Sequence, residues 1–326
     1  MAFLFRPTSL TASRASSVGL AALATTMGYC QYQQKQSEAV VRCHEQRSFL
    51  GKTIIITGGG GNFGTAGAKY FIEQGANVVL VDVNKSALDK ASEAVGVTRR
   101  LKTCVCDVRK PEEVVEVVME AKEAYGTIDL LWNNAGYQGQ MKPLLEYSSK
   151  DMQAVMDINV VGAFNVLQAV AREMAASNSY SSAYKGNTAA SKGKGGLAVV
   201  QTGSVAGLRG TPTMGAYVAS KAAIHGLTMT AAKDLAPHGI RVNTVSPALI
   251  GPETGYMWVR QNELHAASGS PYFSSDASVV AQNKIKSVPL KRLGDVEEVV
   301  QAVAFLLSDE ASYITGTNLV VAGGMA

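Results

Sequence analysis

Residues 53–64 read Thr53-Ile54-Ile55-Ile56-Thr57-Gly58-Gly59-Gly60-Gly61-Asn62-Phe63-Gly64, an apolar β-branched run that passes through four consecutive glycines into a helix-forming stretch. β-branched residues closed off by glycine read as a short buried strand, and the glycines let the backbone turn sharply behind it. A turn placed between a strand and a helix leaves backbone amides free at the helix N-terminus, where they and the helix dipole favour a pyrophosphate. Gly58, Gly61, Asn62, Phe63 and Gly64 are therefore candidates for cofactor contact. A glycine turn alone is weak evidence, and Asp82 strengthens it. This carboxylate closes the next strand candidate, eighteen residues beyond Gly64, where it can accept hydrogen bonds from an adenosine ribose. With Val83 behind it, Asp82 favours NAD over NADP because it repels a 2′-phosphate; Lys85 is the residue that could overturn this preference.

Outward from this unit, short apolar runs alternate with helical patterns. Strand candidates fall at 53–56, 77–81, 103–106, 130–132, 197–201, 241–245 and 318–321. That rhythm predicts an α/β fold: a single Rossmann-like, doubly wound domain over residues 49–326, with a seven-stranded parallel sheet flanked by helices. One stretch breaks it. Residues 176–196, ASNSYSSAYKGNTAASKGKGG, are rich in Ser, Gly, Ala and Lys where a short connection is the norm, and read as an exposed loop insertion. Its Lys185, Lys192 and Lys194 could meet an anion, but a solvated loop explains them better.

With 326 residues, 47% of them hydrophobic and 17% charged, the chain can bury one large domain core. Of the formal charge of +4, residues 1–50 hold +3 (Arg6, Arg14, Lys35, Arg42 and Arg47 against Glu38 and Glu45), which leaves +1 for the rest and gives a nucleic-acid role no electrostatic support. No stretch reaches the roughly 20 apolar residues of a membrane span. Residues 1–37 lack Asp and Glu and carry Arg6 and Arg14 among Ser, Thr and Ala. This is the composition of a transit peptide, so residues 1–48 are read as a targeting or disordered segment and mitochondrial localisation is expected. A secretory signal built on residues 18–27 and a cytoplasmic location are the alternatives. Cys104 and Cys106 alternate around Val105 as small core residues, Cys30 and Cys43 suggest no disulfide framework, and no metal-ligand spacing appears.

The chemistry-bearing pair is Tyr217 and Lys221, four apart on a helical pattern and so on one face. An ammonium beneath a phenol favours the phenolate and makes it a base near neutral pH. Alone, Tyr-x-x-x-Lys is more often an exposed aromatic beside a solvated lysine. Here it comes with Ser204 at the end of a strand, Asn159 on a helix, and the glycine turn.

Together these residues resemble the short-chain dehydrogenase/reductase family over residues 50–326. The glycine turn, Asn133-Asn134-Ala135-Gly136, Asn159, Ser204 and the Tyr217/Lys221 pair stand in the family's order. The resemblance implies that Tyr217 removes the hydroxyl proton of a secondary alcohol as hydride passes to the nicotinamide. It implies further that Ser204 holds the substrate oxygen, that Lys221 also contacts the nicotinamide ribose, and that Asn159 fixes a water of a proton relay. Asp107 and Val108 are placed beside the adenine, Asn134, Ala135 and Gly136 along the ribose, and Pro247 and Ile250 near the carboxamide. Relatives commonly pair through two long helices, so a homotetramer or homodimer is expected.

Three strings, 133–139, 255–261 and 272–276, followed by 287–292, are similar to those of the family's xylitol dehydrogenases. Two of them lie in residues 252–287, expected to form a substrate lid rich in Tyr256, Trp258, His265, Tyr272 and Phe273, of which Phe273 at least is read as packing. Gln138 and Trp258 join Ser204 and Tyr217 as substrate candidates, and the resemblance implies a polyol oxidised to a ketose. Two departures stand out: Asn62 replaces the middle glycine of the turn, tolerable because Asn accepts left-handed backbone, and Pro247-Ala248 replaces Pro-Gly. A 3-hydroxyacyl or 3-oxoacyl thioester oxidoreductase and a non-catalytic NAD-binding scaffold are the alternatives.

Overall fold

Each of the seven apolar runs forms a parallel strand: β1 (Thr53–Thr57), β2 (Asn77–Asp82), β3 (Leu101–Val105), β4 (Leu130–Asn133), β5 (Leu197–Thr202), β6 (Ile240–Pro247) and β7 (Asn318–Val321). The structure is a computed structural model that describes residues 49–177 and 196–326, so the proposed targeting segment and almost all of the 176–196 insertion lie outside the described residues. The strands hydrogen-bond in the order β3-β2-β1-β4-β5-β6-β7, a Rossmann-like doubly wound sheet whose direction of growth reverses beside β1.

Helices cover both faces: α1 (Asn62–Glu73), α2 (Lys85–Val95), α3 (Pro111–Tyr125), α4 (Ser149–Met156), α5 (Ala163–Ser177), α6 (Gly215–Leu235), α7 (Tyr256–Ala266), α8 (Ala277–Ser287) and α9 (Val296–Leu307). Strand side chains alternate between the two layers. Ile55, Val79, Leu131 and Val199 point to one core with Val117, Val170 and Met174. Ile54, Ile56, Leu80 and Trp132 point to the other with Phe71, Leu88 and Val303. Because both faces are buried, the strands read as continuous apolar runs.

Strand ends differ from the sequence expectation where pairing, not hydropathy, sets them. β3 is an edge strand in register from Leu101 opposite Val78 to Val105 opposite Asp82, so it begins two residues early and stops before Cys106. Cys104 and Cys106 are still buried on either side of exposed Val105, and burial pushes both thiols up to about 12. β6 begins one residue early and runs on to Pro247. At its start the half-buried guanidinium of Arg241 donates to the carbonyls of Leu306 and Ser308 at 2.7 and 2.9 Å, tying α9 to the sheet.

Between α4 and α5 the chain makes a π-helical turn, Asp157–Gly162. The continuous helical stretch Ser149–Ser177 is long and apolar enough by composition to cross a membrane, but Val166, Leu167, Val170 and Met174 bury one face of it in the sheet core. On the outward sides of this stretch and of α6, the apolar side chains of Val161, Phe164 and Met229 are exposed.

Candidate active site

The carboxyl ends of β1, β2, β4, β5 and β6 open into one cleft of about 560 Å³ beside the point where the sheet reverses direction. Its floor is knitted by Thr57, whose Oγ1 accepts from the backbone amides of Asn134 and Ala135 at 2.9 Å each and donates to Asn133 Oδ1 at 3.2 Å. Asn134 in turn donates to Thr57 O at 3.1 Å and accepts from Thr202 Oγ1 at 3.1 Å, and Trp132 Nε1 donates to the same Thr202 hydroxyl at 2.9 Å. These bonds lock the ends of β1, β4 and β5 together, so the groups they carry are held by buried hydrogen bonds.

The glycine turn has the shape a dinucleotide requires. Gly58 sits in the left-handed region at φ +67°, and a Cβ there would lie 3.0 Å from Asn134 Nδ2. Gly61 precedes α1 with extended backbone, and no side chain caps the first turn of that helix. Asp82 Oδ2 accepts from the Gly60 amide at 3.1 Å and Oδ1 from the Asn84 amide at 3.0 Å, which fixes the carboxylate at the cleft's edge. Gly58, Gly61, Asn62, Phe63, Asp82, Asn134, Gly136, Pro247 and Ile250 all line the cleft. Asn62 is the first residue of α1, and the left-handed demand of the turn falls on Gly58 instead, so the tolerance argued for Asn62 is not called upon.

Other expected cofactor residues lie outside the cleft lining. Gly64 packs against the turn from within α1, Ala135 gives its amide to Thr57, and Val83 is exposed beyond β2. The Asp107 carboxylate is engaged by the Arg109 guanidinium at 2.6 Å, which holds it below the ordinary carboxylate range, and Val108 is buried against Gly162.

Tyr217, Lys221 and Ser204 converge on the cleft from α6 and the end of β5. The Lys221 ammonium donates to Thr202 O at 2.7 Å and stands 5.7 Å from the Tyr217 ring centroid. The sequence argument has this cation lower the phenol's pKa. Instead burial pushes the Tyr217 phenol above its ordinary value, opposed by a hydrogen bond with the Ser204 side chain. Burial also pushes Lys221 down to about 8. In both groups burial favours the neutral form.

Asn159, at the π-helical turn, does not line the cleft. Its Oδ1 accepts from the Tyr137 amide at 2.7 Å, and its Nδ2 donates to Tyr137 O and Ser220 Oγ at 2.9 Å each. The amide therefore clamps the chain just after Gly136 to α6, and both of its donors are already committed.

Residues 252–287 form the far wall, but only their first half reaches the cleft. Tyr256 and Trp258 line it, and so does Gln138. Tyr272 is exposed, and Phe273 packs on His265 with ring centroids 4.0 Å apart. His265 is buried, its Nδ1 3.3 Å from Thr213 Oγ1, and desolvation pushes it down to about 3. Among the described residues no cluster of His, Cys, Asp and Glu is arranged to hold a metal. Gln261 and Val296, which are not among the expected site residues, also line the cleft. Gln261 carried a signal, since it lies one helical turn after Trp258 on the same face; Val296, at the start of α9, carried none.

The fold and this site define an oxidoreductase whose tyrosine, serine and lysine meet a dinucleotide cradle. A family model described as "Enoyl-(Acyl carrier protein) reductase" matches residues 61–326. "Oxidoreductase UcpA" of Escherichia coli (strain K12) is 36% identical over 274 residues, covering 84% of this chain and 94% of the relative. "3-oxoacyl-[acyl-carrier-protein] reductase FabG" of Thermotoga maritima is 33% identical over 276 residues, 84% of this chain and 98% of the relative. Among solved structures, NAD+-bound xylitol dehydrogenase is 46% identical and superposes with a TM-score of 0.75 over 85% of this chain and 99% of that one. The chain belongs to the short-chain dehydrogenase/reductase family and is an oxidoreductase acting on alcohol or ketone substrates.

Proposed function

We propose that the protein is an NAD-dependent polyol dehydrogenase that interconverts xylitol, or a similar sugar alcohol, with a ketose. The observation that carries this reading is the cleft itself, which is lined by Ser204, Tyr217 and Lys221 together with Trp258 and the hydrogen-bonding side chains of Gln138 and Gln261. A substrate with several hydroxyls has partners there; a purely apolar alcohol leaves the two amides unused. The likeness to NAD+-bound xylitol dehydrogenase supports the same reading.

In the oxidation, Ser204 binds and orients the substrate hydroxyl, and Tyr217 Oη accepts its proton. Lys221, held by Thr202 O, keeps a positive charge below the phenol and stabilises the phenolate as it forms. Asn159 ties the Tyr137 backbone to Ser220 of α6, the helix that carries both groups. The bound nicotinamide supplies the hydride acceptor. α7 covers the reacting carbon and keeps water away from it.

The choice of NAD rests on charge. Asp82 stands at the adenosine end of the cradle, and Lys85 is turned along its own helix to Asp89 at 2.9 Å. Among the described residues that line the cleft, Lys221 is the one Lys or Arg, so nothing there pairs with a 2′-phosphate.

A single absorbance assay tests substrate and cofactor together. Xylitol, ribitol, a 3-hydroxyacyl thioester and a steroid alcohol are each offered with NAD and with NADP. The expected result is polyol turnover with a kcat/KM at least about tenfold higher for NAD, the size of one lost charge contact. Thioester turnover with inert polyols removes the polyol reading; that outcome has support from the FabG relative and the apolar Leu249 and Met257 of the cleft wall. A chain that binds NADH and turns over none of these is a scaffold. We further propose, from composition alone, that residues 1–48 direct import into mitochondria. A fluorescent fusion should lose mitochondrial localisation when they are deleted, and an unchanged cytosolic pattern with and without them overturns this.

A further inference from the structure

Lys284, on α8, is not among the cleft-lining residues and carries none of the chemistry above. Its ammonium donates to Asn262 Oδ1 at 2.7 Å and to Gln261 Oε1 at 3.2 Å, and lies 5.5 Å from the Trp258 ring centroid. All three partners are on α7, so one side chain pins α8 to α7, and two of the three, Trp258 and Gln261, line the cleft. Its partners are two amide oxygens and an aromatic face, with no carboxylate within ion-pair distance among the described residues.

An ammonium has donors and no acceptor. Its bond to Gln261 therefore settles which way that amide is turned: Oε1 faces Lys284, and the Nε2 donors are left on the opposite side. No other hydrogen bond engages the Gln261 side chain among the described residues. The geometry points to Lys284 as a positioning residue that sets Gln261 as a hydrogen-bond donor over the substrate pocket, so that the site recognises an oxygen of the substrate away from the reacting carbon. A cation over Trp258 further holds that ring in the wall. The Lys284 side chain is half-buried, and burial pushes it down to about 7.

This inference rests on the alcohol dehydrogenase reading of the cleft and deepens it, since a second substrate oxygen is what a polyol offers. The test is a double-mutant cycle on Lys284→Met and Gln261→Leu, measured as kcat and KM for the polyol and KM for NAD. Lys284→Met should raise the polyol KM about tenfold, the size of one hydrogen bond, with kcat and the KM for NAD within about threefold of wild type. Gln261→Leu should do the same, and the double variant should be no worse than either single one, because both remove one contact. Lys284→Arg, which also donates to amide oxygens and sits on an aromatic ring, should restore the polyol KM. An unchanged KM in Lys284→Met, additive effects in the double variant, or a loss confined to kcat overturns the proposal. If Lys284→Met does not fold, Gln261→Leu together with Lys284→Arg decides on the same criteria. Should the wild type ignore polyols and oxidise the hydroxyacyl thioester, the polyol reading falls, and the same cycle on the thioester, whose carbonyl is also an acceptor, still decides the role of Lys284.

Discussion

Tyr217→Phe should lower kcat for alcohol oxidation about a thousandfold while leaving the fold and the KM for NAD close to wild type. The substitution removes one oxygen and keeps the ring that packs at the base of the cleft. That oxygen is the proton acceptor, and the two groups nearest to it cannot replace it. Ser204 is a hydroxyl with an ordinary pKa far above neutral, and its own Oγ accepts from the Ala206 amide at 3.1 Å. Lys221 is below the ring and its ammonium is held by Thr202 O. A thousandfold loss corresponds to about 4 kcal/mol of transition-state stabilisation. The sign of the pH dependence follows from the same assignment. Oxidation needs the phenol ionised, and burial raises its pKa, so wild-type kcat/KM should climb as pH rises through neutrality. The residual rate of Tyr217→Phe should lack that limb. Turnover within about tenfold of wild type would assign the proton transfer to another group.

Much of the fold was legible in the sequence because it is written in local chemistry. A strand buried on both faces is apolar through its middle, and the runs at 54–56 and 197–200 are. Strand ends were less legible, since β3 and β6 end where a neighbour in the sheet stops offering partners, and that neighbour is distant in sequence. The catalytic side chains were legible for a different reason. Tyr217 and Lys221 share a helix face, and Ser204 comes two residues after β5, so their spacing brings each to the carboxyl end of the sheet. What spacing cannot reveal is competition for a side chain. Asp107 looked available to an adenine until Arg109, two residues on, took its carboxylate. Nor can spacing reveal that the Asn159 side-chain amide is bonded to the Tyr137 backbone. The pKa of Tyr217 is illegible for a related reason: helical spacing places the cation near the phenol, but only the packed structure shows the burial that raises the phenol's pKa.

The lid divides along the same line. Its aromatics were visible as composition, yet composition does not say which side of a helix faces the substrate. Tyr256 and Trp258 are presented to the cleft because α7 lies across it, whereas Phe273 follows that helix and folds back on His265. The polar contact that matters most to specificity in this reading, Gln261, depends on a lysine twenty-three residues further on. A single-residue search for substrate contacts finds the glutamine at best and misses what orients it.

Gly64→Ala should cost more than any conservative change in the cofactor cradle, although Gly64 itself does not line the cleft. A Cβ at this position would lie 2.5 Å from Gly58 O, 2.6 Å from Gly59 Cα and 2.8 Å from Gly59 O. All three are backbone atoms, and Gly59 is itself pinned, its amide bonded to Val81 O at 2.9 Å. No rotamer change relieves such a contact, so α1 must move away from the turn. One turn further along the same face, a Cβ on Gly67 would lie 2.5 Å from the Trp132 ring, so α1 is seated closely along this whole face and a shift at Gly64 lifts it from the sheet as well as from the turn. Alanine's better helix propensity recovers less than about 1 kcal/mol, while overpacking of this kind costs about 1–3 kcal/mol or somewhat more. The net expectation is a loss of about 2 kcal/mol, seen as a drop in Tm of about 4–8 °C. Displacing the uncapped amides of α1 by even a fraction of a turn misaligns them with the pyrophosphate, so NADH binding should weaken roughly a hundredfold, measured by quenching of Trp fluorescence. A Tm within about 1 °C of wild type together with unaltered NADH affinity would show that the turn is soft enough to take a methyl group, and the helix-terminus account of cofactor binding would then fail.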